Sequence, residues 1–119
     1  MSKLTIGCFS SLVGSMSLDV AVKIVEAAVE KGHEVDFWVS GNATMIAKTN
    51  QKDFQDYSSL DPKIKELMGK GVQVTVCEAC MESRGYGKED TVEGMNRKSM
   101  DWFLASSFSA DRVLHIGGE

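Results

Sequence analysis

The chain has 119 residues, 43% of them hydrophobic and 25% charged, with a formal net charge of −4. This is the composition of one globular domain of ordinary size, so we expect a single soluble domain over residues 1–119. Lysine and arginine are scattered along the chain, which argues against direct binding to nucleic acid. No apolar run approaches the roughly 20 residues that span a bilayer, so no membrane association is expected. Three cysteines, an odd number, and an N-terminus without a signal-peptide pattern predict a reducing cytoplasm.

The first part of the chain is predicted to form a strand, a helix and a second strand. Residues 4–9 are a short apolar run typical of a buried strand. Ser17 is placed to cap a helix over residues 18–31, where apolar residues recur at spacings of three and four and Gly32 follows as terminator. Residues 34–40 are β-branched and aromatic, and such a strand-helix-strand unit is nearly always parallel.

The remaining elements repeat this alternation. After a short predicted helix at residues 43–48 and an irregular segment, Asp61 is predicted to cap a helix that begins with Pro62 and ends before a strand at residues 72–76. The segment from Gly85 to Lys98 is polar, and Asp90 is a candidate cap for a short helix there. A helix starting at Ser99 and a strand at residues 111–116 close the chain. The order predicts an α/β three-layer sandwich, with helices on both faces of a mainly parallel sheet.

The most informative segment of the chain joins two cysteines to an arginine. Cys77 and Cys80 follow the predicted strand at residues 72–76, and Arg84 lies seven residues beyond Cys77. Functional crevices of open parallel sheets lie beyond the carboxyl ends of the strands. We therefore expect backbone N–H groups, a helix starting near Glu78 and the Arg84 cation to lower the pKa of Cys77. Cys80 either packs inward or serves as a second thiol, and Cys8, within the first strand, is interpreted as a buried apolar residue.

Other chemistries fit these residues less well. A thioredoxin-like site normally has a proline after the cysteines, but the single proline, Pro62, precedes them. A single Cys-x-x-Cys without a second knuckle is a weak zinc signal. A cysteine hydrolase needs a histidine base, and neither His33, at a helix-to-strand turn, nor His115, within the last strand, is well placed for that role. No phosphate-binding glycine motif occurs, and we expect neither a metal nor a cofactor.

Several segments together form a recognisable pattern. They are the first strand, the helix ending in Glu30-Lys31-Gly32-His33-Glu34-Val35, the strand from Gly71-Val72 to Val76-Cys77, the pair Arg84-Gly85, and the closing Ala110-Asp111-Arg112-Val113-Leu114. In this pattern the chain resembles the DsrE/DsrF/TusD-like family of sulfur-relay proteins over most of its length. The spacing from the cysteine to Arg84-Gly85 is the most specific part of the resemblance.

The resemblance implies a role for each site residue. It implies that Cys77 accepts sulfane sulfur as a persulfide and passes it to a cysteine of a partner protein, with Arg84 stabilising the anion. It also implies sulfur-donor and sulfur-acceptor partners, and assembly as trimers or hexamers with itself or related subunits. Cys80 departs from many members and leaves open a resolving thiol, or a disulfide or trisulfide with Cys77.

The leading hypothesis is therefore a cytoplasmic sulfur carrier or sulfurtransferase. One alternative is a non-catalytic assembly subunit of a sulfur-relay complex, docking through residues 86–98 or through Phe54 and Tyr57. The other alternative is a dithiol redox module built on Cys77 and Cys80.

Overall fold

A computed structural model describes residues 2–11, 16–53 and 59–117. Within these residues the chain forms one five-stranded sheet in the order β4-β3-β2-β1-β5, with every neighbouring pair parallel. The strands are β1 (Lys3–Cys8), β2 (Glu34–Val39), β3 (Gln73–Cys77), β4 (Asn96–Lys98) and β5 (Arg112–Ile116). The last crossover returns from one edge of the sheet to the other, which leaves β1, β2 and β3 in the interior.

Helices cover both faces of this sheet, which confirms the predicted three-layer α/β architecture. The α-helices are α1 (Ser17–Glu30), α2 (Asp61–Gly69), α3 (Glu78–Ser83) and α4 (Met100–Ser109), with 3₁₀ helices at Gly41–Ala47 and Lys88–Asp90. Alternate side chains of the strands enter two separate cores. Phe37 of β2 belongs to the larger core with α1 and α2, whereas its neighbour Trp38 packs against Phe103 of α4 on the other face.

Two helices begin one residue earlier than the sequence predicts. The N-caps are Met16 and Leu60, and Ser17 and Asp61 are the first helical residues, so both predicted caps are wrong. The reason is visible in the backbone: the carbonyl of Met16 already accepts from Val20, as that of Leu60 does from Ile64. Asp61 still lies in the first turn, where a negative charge favours the helix.

The polar segment before α4 contains a strand that the sequence does not reveal. Asn96, Arg97 and Lys98 form β4 and pair with β3, so that Lys98 lies beside Cys77. Asp90 does not cap a helix as predicted. It ends the second 3₁₀ helix, and its carboxylate accepts a hydrogen bond from the Gly87 N–H at 3.0 Å.

Phe54 and Tyr57, which the sequence proposed as interface residues, lie outside the described residues. No helix in the described ranges is long and apolar enough to span a membrane.

Candidate functional site

The carboxyl ends of three neighbouring strands meet at an open cavity of about 380 Å³. Phe9 follows β1, Ser40 follows β2, and α3 with its cysteine follows β3 directly. The residues that line the cavity are Phe9, Ser40, Gly41, Asn42, Cys80, Arg84 and Met100. This is the edge of the sheet at which the sequence places the functional crevice.

Cys77 lies behind this cavity rather than in it. It is the N-cap of α3, and its sulfur accepts a hydrogen bond from the Cys80 backbone N–H at 3.4 Å. Only 8% of the residue is exposed, and it packs in a cluster with Trp38 and Phe103. Burial, together with the hydrogen bond to the Cys80 thiol, raises the pKa of Cys77. The lowered pKa expected for Cys77 is therefore wrong, because desolvation outweighs the contact with the N–H group.

Cys80 is the thiol that faces the cavity. Its sulfur accepts a hydrogen bond from the Gly41 N–H at 3.4 Å and lies 3.5 Å from the Ser40 hydroxyl oxygen. Burial opposes ionisation of Cys80, but hydrogen bonds from Cys77, Ser40 and Gly41 and the charge of Arg84 outweigh it and lower the pKa of Cys80. Of the two thiols, Cys80 is the one whose surroundings favour the anion.

Arg84 is the C-cap of α3 and lies at the same cavity. One of its amino groups donates to the Cys80 carbonyl oxygen at 3.0 Å, and the other donates to the Asn42 side-chain oxygen at 2.8 Å. Its cation lowers the pKa of Cys80, whereas the pKa of Cys77 is set by burial and by its contacts with Cys80 and Ser40. The positive influence that the sequence assigned to Cys77 therefore acts on the second cysteine.

The backbone at Gly41 explains how an N–H group reaches the Cys80 sulfur. Gly41 has a φ of +58°, in the left-handed region that favours glycine. A Cβ atom at this position would lie 3.4 Å from the Phe9 carbonyl oxygen. Gly41 and Asn42 follow the predicted strand at residues 34–40, and the sequence assigned them no role in the site. Their position after β2, at the same edge as Cys77, is the signal that could have placed them in the site.

A buried arginine fixes the helix that carries Cys80. Arg97 of β4 is 7% exposed in its side chain and pairs with Glu82 of α3 at 2.7 Å. It also donates to the Tyr86 carbonyl at 3.2 Å and the Thr91 hydroxyl at 3.0 Å. Because a short helix has little stability of its own, these contacts hold α3 against the sheet. This role of Arg97 was not predicted, since the residue lies in the polar segment from Gly85 to Lys98, where no strand is expected.

An aromatic layer supports the cysteines from below. The ring of Trp38 stacks on Phe103 with centroids 5.7 Å apart and on Trp102 at 6.1 Å. Phe9 meets Phe103 edge-on at 6.1 Å. Cys77 and Cys80 both pack in this cluster. Their sulfur atoms therefore lie between the aromatic rings on one side and the polar residues of the cavity on the other.

The third cysteine does not reach the site. Cys8 is fully buried in the larger core, on the other face of the sheet from Cys77. Burial raises the pKa of its thiol, although contacts with the backbone of residues 9 and 10 oppose that effect. The structure agrees with the interpretation of Cys8 as an apolar core residue.

Neither histidine is hydrogen-bonded to Cys77 or Cys80 in the described part of the chain. His33 lies at the amino edge of the sheet, where its Nδ1 accepts from the Ser2 N–H at 3.3 Å. His115 contacts the rings of Phe9 and Phe103. Among residues 2–11, 16–53 and 59–117, no group of three or more histidine, cysteine or acidic side chains is arranged to hold a metal ion.

Comparison with known proteins identifies relatives along nearly the whole chain. The model of the DsrE/DsrF-like family matches residues 4–116. The crystal structure of the YchN protein from E. coli is 22% identical, with a TM-score of 0.88 over 97% of this chain and 99% of that one. MTH1491 from Methanobacterium thermoautotrophicum, a protein of unknown function, is 11% identical, with a TM-score of 0.78 over 96% and 99% of the two chains.

A further structure has the same fold. BT1422 from Bacteroides thetaiotaomicron, also of unknown function, is 18% identical, with a TM-score of 0.72 over 97% of this chain and 95% of that one. No protein with a curated description matches. At these identities the solved structures show a shared fold and nothing further.

Proposed function

This chain belongs to the DsrE/DsrF-like family, and we propose that it is a sulfur carrier that holds sulfane sulfur as a persulfide on the pair Cys77 and Cys80. The observation that carries the proposal is the environment of Cys80. Its sulfur opens onto a cavity and is surrounded by the Gly41 N–H, the Ser40 hydroxyl and the Arg84 cation. A thiol with a lowered pKa in an accessible, electropositive pocket is suited to nucleophilic attack.

The geometry favours Cys80 as the first acceptor of sulfur, where the sequence favoured Cys77. Cys77 is more buried and has a raised pKa, so it is a poorer nucleophile at neutral pH. Its sulfur is nevertheless hydrogen-bonded to the Cys80 N–H, which keeps the two cysteines together. In this proposal Cys80 takes the sulfur, and Cys77 is the neighbouring thiol that supports its anion.

The transfer conserves atoms and oxidation state. The Cys80 thiolate attacks the outer sulfur of a donor persulfide, a new S–S bond forms, and the donor leaves as a thiolate with the electron pair of the broken bond. The resulting Cys80 persulfide is anionic, and Arg84 and the Gly41 N–H are placed to stabilise it. A thiolate of the acceptor protein then attacks the outer sulfur, and the Cys80 thiolate is released.

Family membership and the surface also support the expectations about partners. Large apolar side chains are exposed on α4 and β5: Leu104, Phe108, Val113 and Leu114. Exposed apolar surface of this kind is typical of a contact site. We propose that it takes part in assembly with like or related subunits, as trimers or hexamers, in the cytoplasm. The sulfur donor and the acceptor would then approach the cavity that contains Cys80.

A dithiol redox module is the second candidate. It is favoured by one observation, the contact of the two cysteines across the first turn of α3. If this were the function, Cys77 and Cys80 would exchange between dithiol and disulfide with a measurable reduction potential. That potential would be lost in both Cys77→Ser and Cys80→Ser.

Mass spectrometry after incubation with inorganic polysulfide tests the proposal. We expect the wild-type protein to gain the mass of one sulfur atom, and the gain to disappear after treatment with a reductant. Cys80→Ser should abolish loading, Cys77→Ser should weaken it, and Cys8→Ser, in the other core, should load normally. Unloaded wild-type protein would contradict the carrier function and favour a non-catalytic assembly subunit.

A further inference from the structure

The guanidinium group of Arg84 is anchored at two points. The first is the carbonyl of Cys80 within α3, and the second is the side-chain oxygen of Asn42, which lies 42 residues earlier in the sequence. Arg84 is exposed, and an unanchored arginine there would sample many side-chain rotamers in solvent. The hydrogen bond to Asn42 holds the cation against residues 40–42, the segment whose Ser40 hydroxyl and Gly41 N–H contact the Cys80 sulfur.

Asn42 is an uncharged acceptor, and this matters for the chemistry of the site. A carboxylate at the same place would hold the guanidinium in a stronger, charge-assisted contact. Its negative charge would also cancel the field of the cation and repel an anionic sulfur. The carboxamide fixes Arg84 and leaves its positive charge available to Cys80.

Few charges compete with Arg84 at this cavity. The other lining residues carry no formal charge unless the thiol ionises: Phe9, Ser40, Gly41, Asn42, Cys80 and Met100. Cys77 faces Cys80 from β3 and is the second titratable group in contact with it. The acidic residues of α3, Glu78 and Glu82, are both within ion-pair distance of Arg97. Lys98 of β4 lies beside Cys77 in the register of the sheet, and Arg84 is the charged side chain whose field lowers the pKa of Cys80.

We propose that Asn42 is a positioning residue, whose side-chain oxygen holds the Arg84 guanidinium beside Cys80 so that the cation stabilises the sulfur anion. The anion is the thiolate before sulfur loading and, under the proposed function, the persulfide after it. This inference rests on the proposed function for its persulfide part. The effect of Asn42 on the Cys80 thiol is measured without any sulfur donor, so the positioning role and the sulfur-carrier function can fail separately.

The rate at which iodoacetamide alkylates Cys80, measured as a function of pH, tests the positioning role. Trypsin releases both cysteines of the pair in one peptide, residues 71–84 in the wild type and residues 71–88 where Arg84 is replaced by glutamine, so fragmentation must assign the label. We expect Asn42→Leu to slow alkylation of Cys80 at neutral pH by roughly three- to tenfold and to move the profile to higher pH. Asn42→Asp should have at least as large an effect, since it keeps the anchor but cancels the charge.

Two controls separate this role from a structural one. Lys31→Gln changes the net charge as Asn42→Asp does, but at an exposed site near the amino edge of the sheet, and should leave the profile unchanged. In an Arg84→Gln background, Asn42→Leu should cause no further slowing. A wild-type profile for Asn42→Leu, or equal slowing with and without Arg84, would overturn the inference. Urea midpoints close to that of the wild type will show that the variants are folded.

Discussion

Arg84 donates a hydrogen bond to the backbone carbonyl of Cys80, four residues earlier, so that the cation at the C-cap of α3 and the accessible thiol of the site lie one helical turn apart. The same arginine reaches Asn42 in the segment after β2. This arrangement makes Cys80 the thiol on which the charge of Arg84 acts. Cys77 lies behind Cys80, against the aromatic layer.

The two thiols are predicted to differ in reactivity and in pH dependence. The pKa of Cys80 is lowered and that of Cys77 is raised, so the Cys80 thiolate forms at lower pH. At neutral pH we expect iodoacetamide to label Cys80 roughly tenfold faster than Cys77, and the ratio to fall as rising pH ionises both. Fragmentation of the peptide 71–84 measures it. Faster labelling of Cys77 would contradict the assignment.

Removing the charge of Arg84 is predicted to slow sulfur loading. Arg84→Gln keeps a polar side chain but removes the cation that stabilises the anionic Cys80 sulfur. We expect the rate of loading from polysulfide at neutral pH to fall roughly tenfold, and Arg84→Lys to retain part of it, because a lysine supplies charge without the fork that reaches two acceptors. Equal rates for the wild type and Arg84→Gln would show that the cation has no role in loading.

A buried polar network at the opposite end of the sheet is predicted to stabilise the position of α4. The Asp36 carboxylate accepts from Ser106 of α4 at 2.6 Å and pairs with Lys3 at 3.2 Å. Asp36→Ala would remove the carboxylate partner of the buried Ser106 hydroxyl and of the Lys3 ammonium group. It is expected to lower the free energy of unfolding by about 2–4 kcal/mol.

Urea denaturation measures this loss, and a surface ion pair provides the comparison. Lys63→Gln breaks an exposed contact with Glu26 and should move the urea midpoint much less. If both variants unfolded at the same urea concentration, the network would have no special role.

The close approach of α4 to the sheet is predicted to depend on Gly7. A Cβ atom there would lie 2.8 Å from the Phe103 ring, in the layer beneath the cysteines. Gly7→Ala is therefore expected to cost about 1–3 kcal/mol of unfolding free energy. Gly69→Ala is the matched control, because a Cβ there meets nothing within 4 Å. A neutral Gly7→Ala would mean that Phe103 repacks at no cost.

The exposed apolar side chains of α4 are predicted to take part in assembly. Phe108 is 89% exposed and Leu104 is 48% exposed on this helix. The double substitution Leu104→Ser and Phe108→Ser should lower the mass of the assembly in sedimentation without lowering the urea midpoint of the subunit. Lys65→Ser, an exposed substitution on α2 across the sheet, should leave the mass unchanged. An unchanged mass in the double variant would exclude this surface as the contact.

The fold was largely accessible from the sequence because its strands and helices carry strong apolar periodicity. The helix after Ser17 and the buried strand before Cys77 are examples of this. Strand β4 could not be predicted from the sequence, because Asn96, Arg97 and Lys98 are polar and the strand is defined by backbone pairing with β3. Such an edge strand leaves no pattern of alternating hydrophobicity.

The site was accessible only in part, for a different reason. Spacing along the chain brought Cys77, Cys80 and Arg84 together as candidates, and the structure places all three at one edge of the sheet. The sequence could not show that Ser40 and Gly41 contact the Cys80 sulfur, since those contacts join residues 39 or more positions apart. Nor could it show that Cys77 is desolvated, because burial depends on packing by Trp38 and Phe103.

The most direct test of the carrier function is to locate the added sulfur after brief exposure of the wild-type protein to polysulfide. Alkylation traps the persulfide, and fragmentation of the peptide 71–84 assigns the extra sulfur to one of its two cysteines. We predict that the extra sulfur appears first on Cys80. Absence of added sulfur from both cysteines would contradict the account. So would a Cys77→Ser/Cys80→Ser double variant that gains as much sulfur as the wild type.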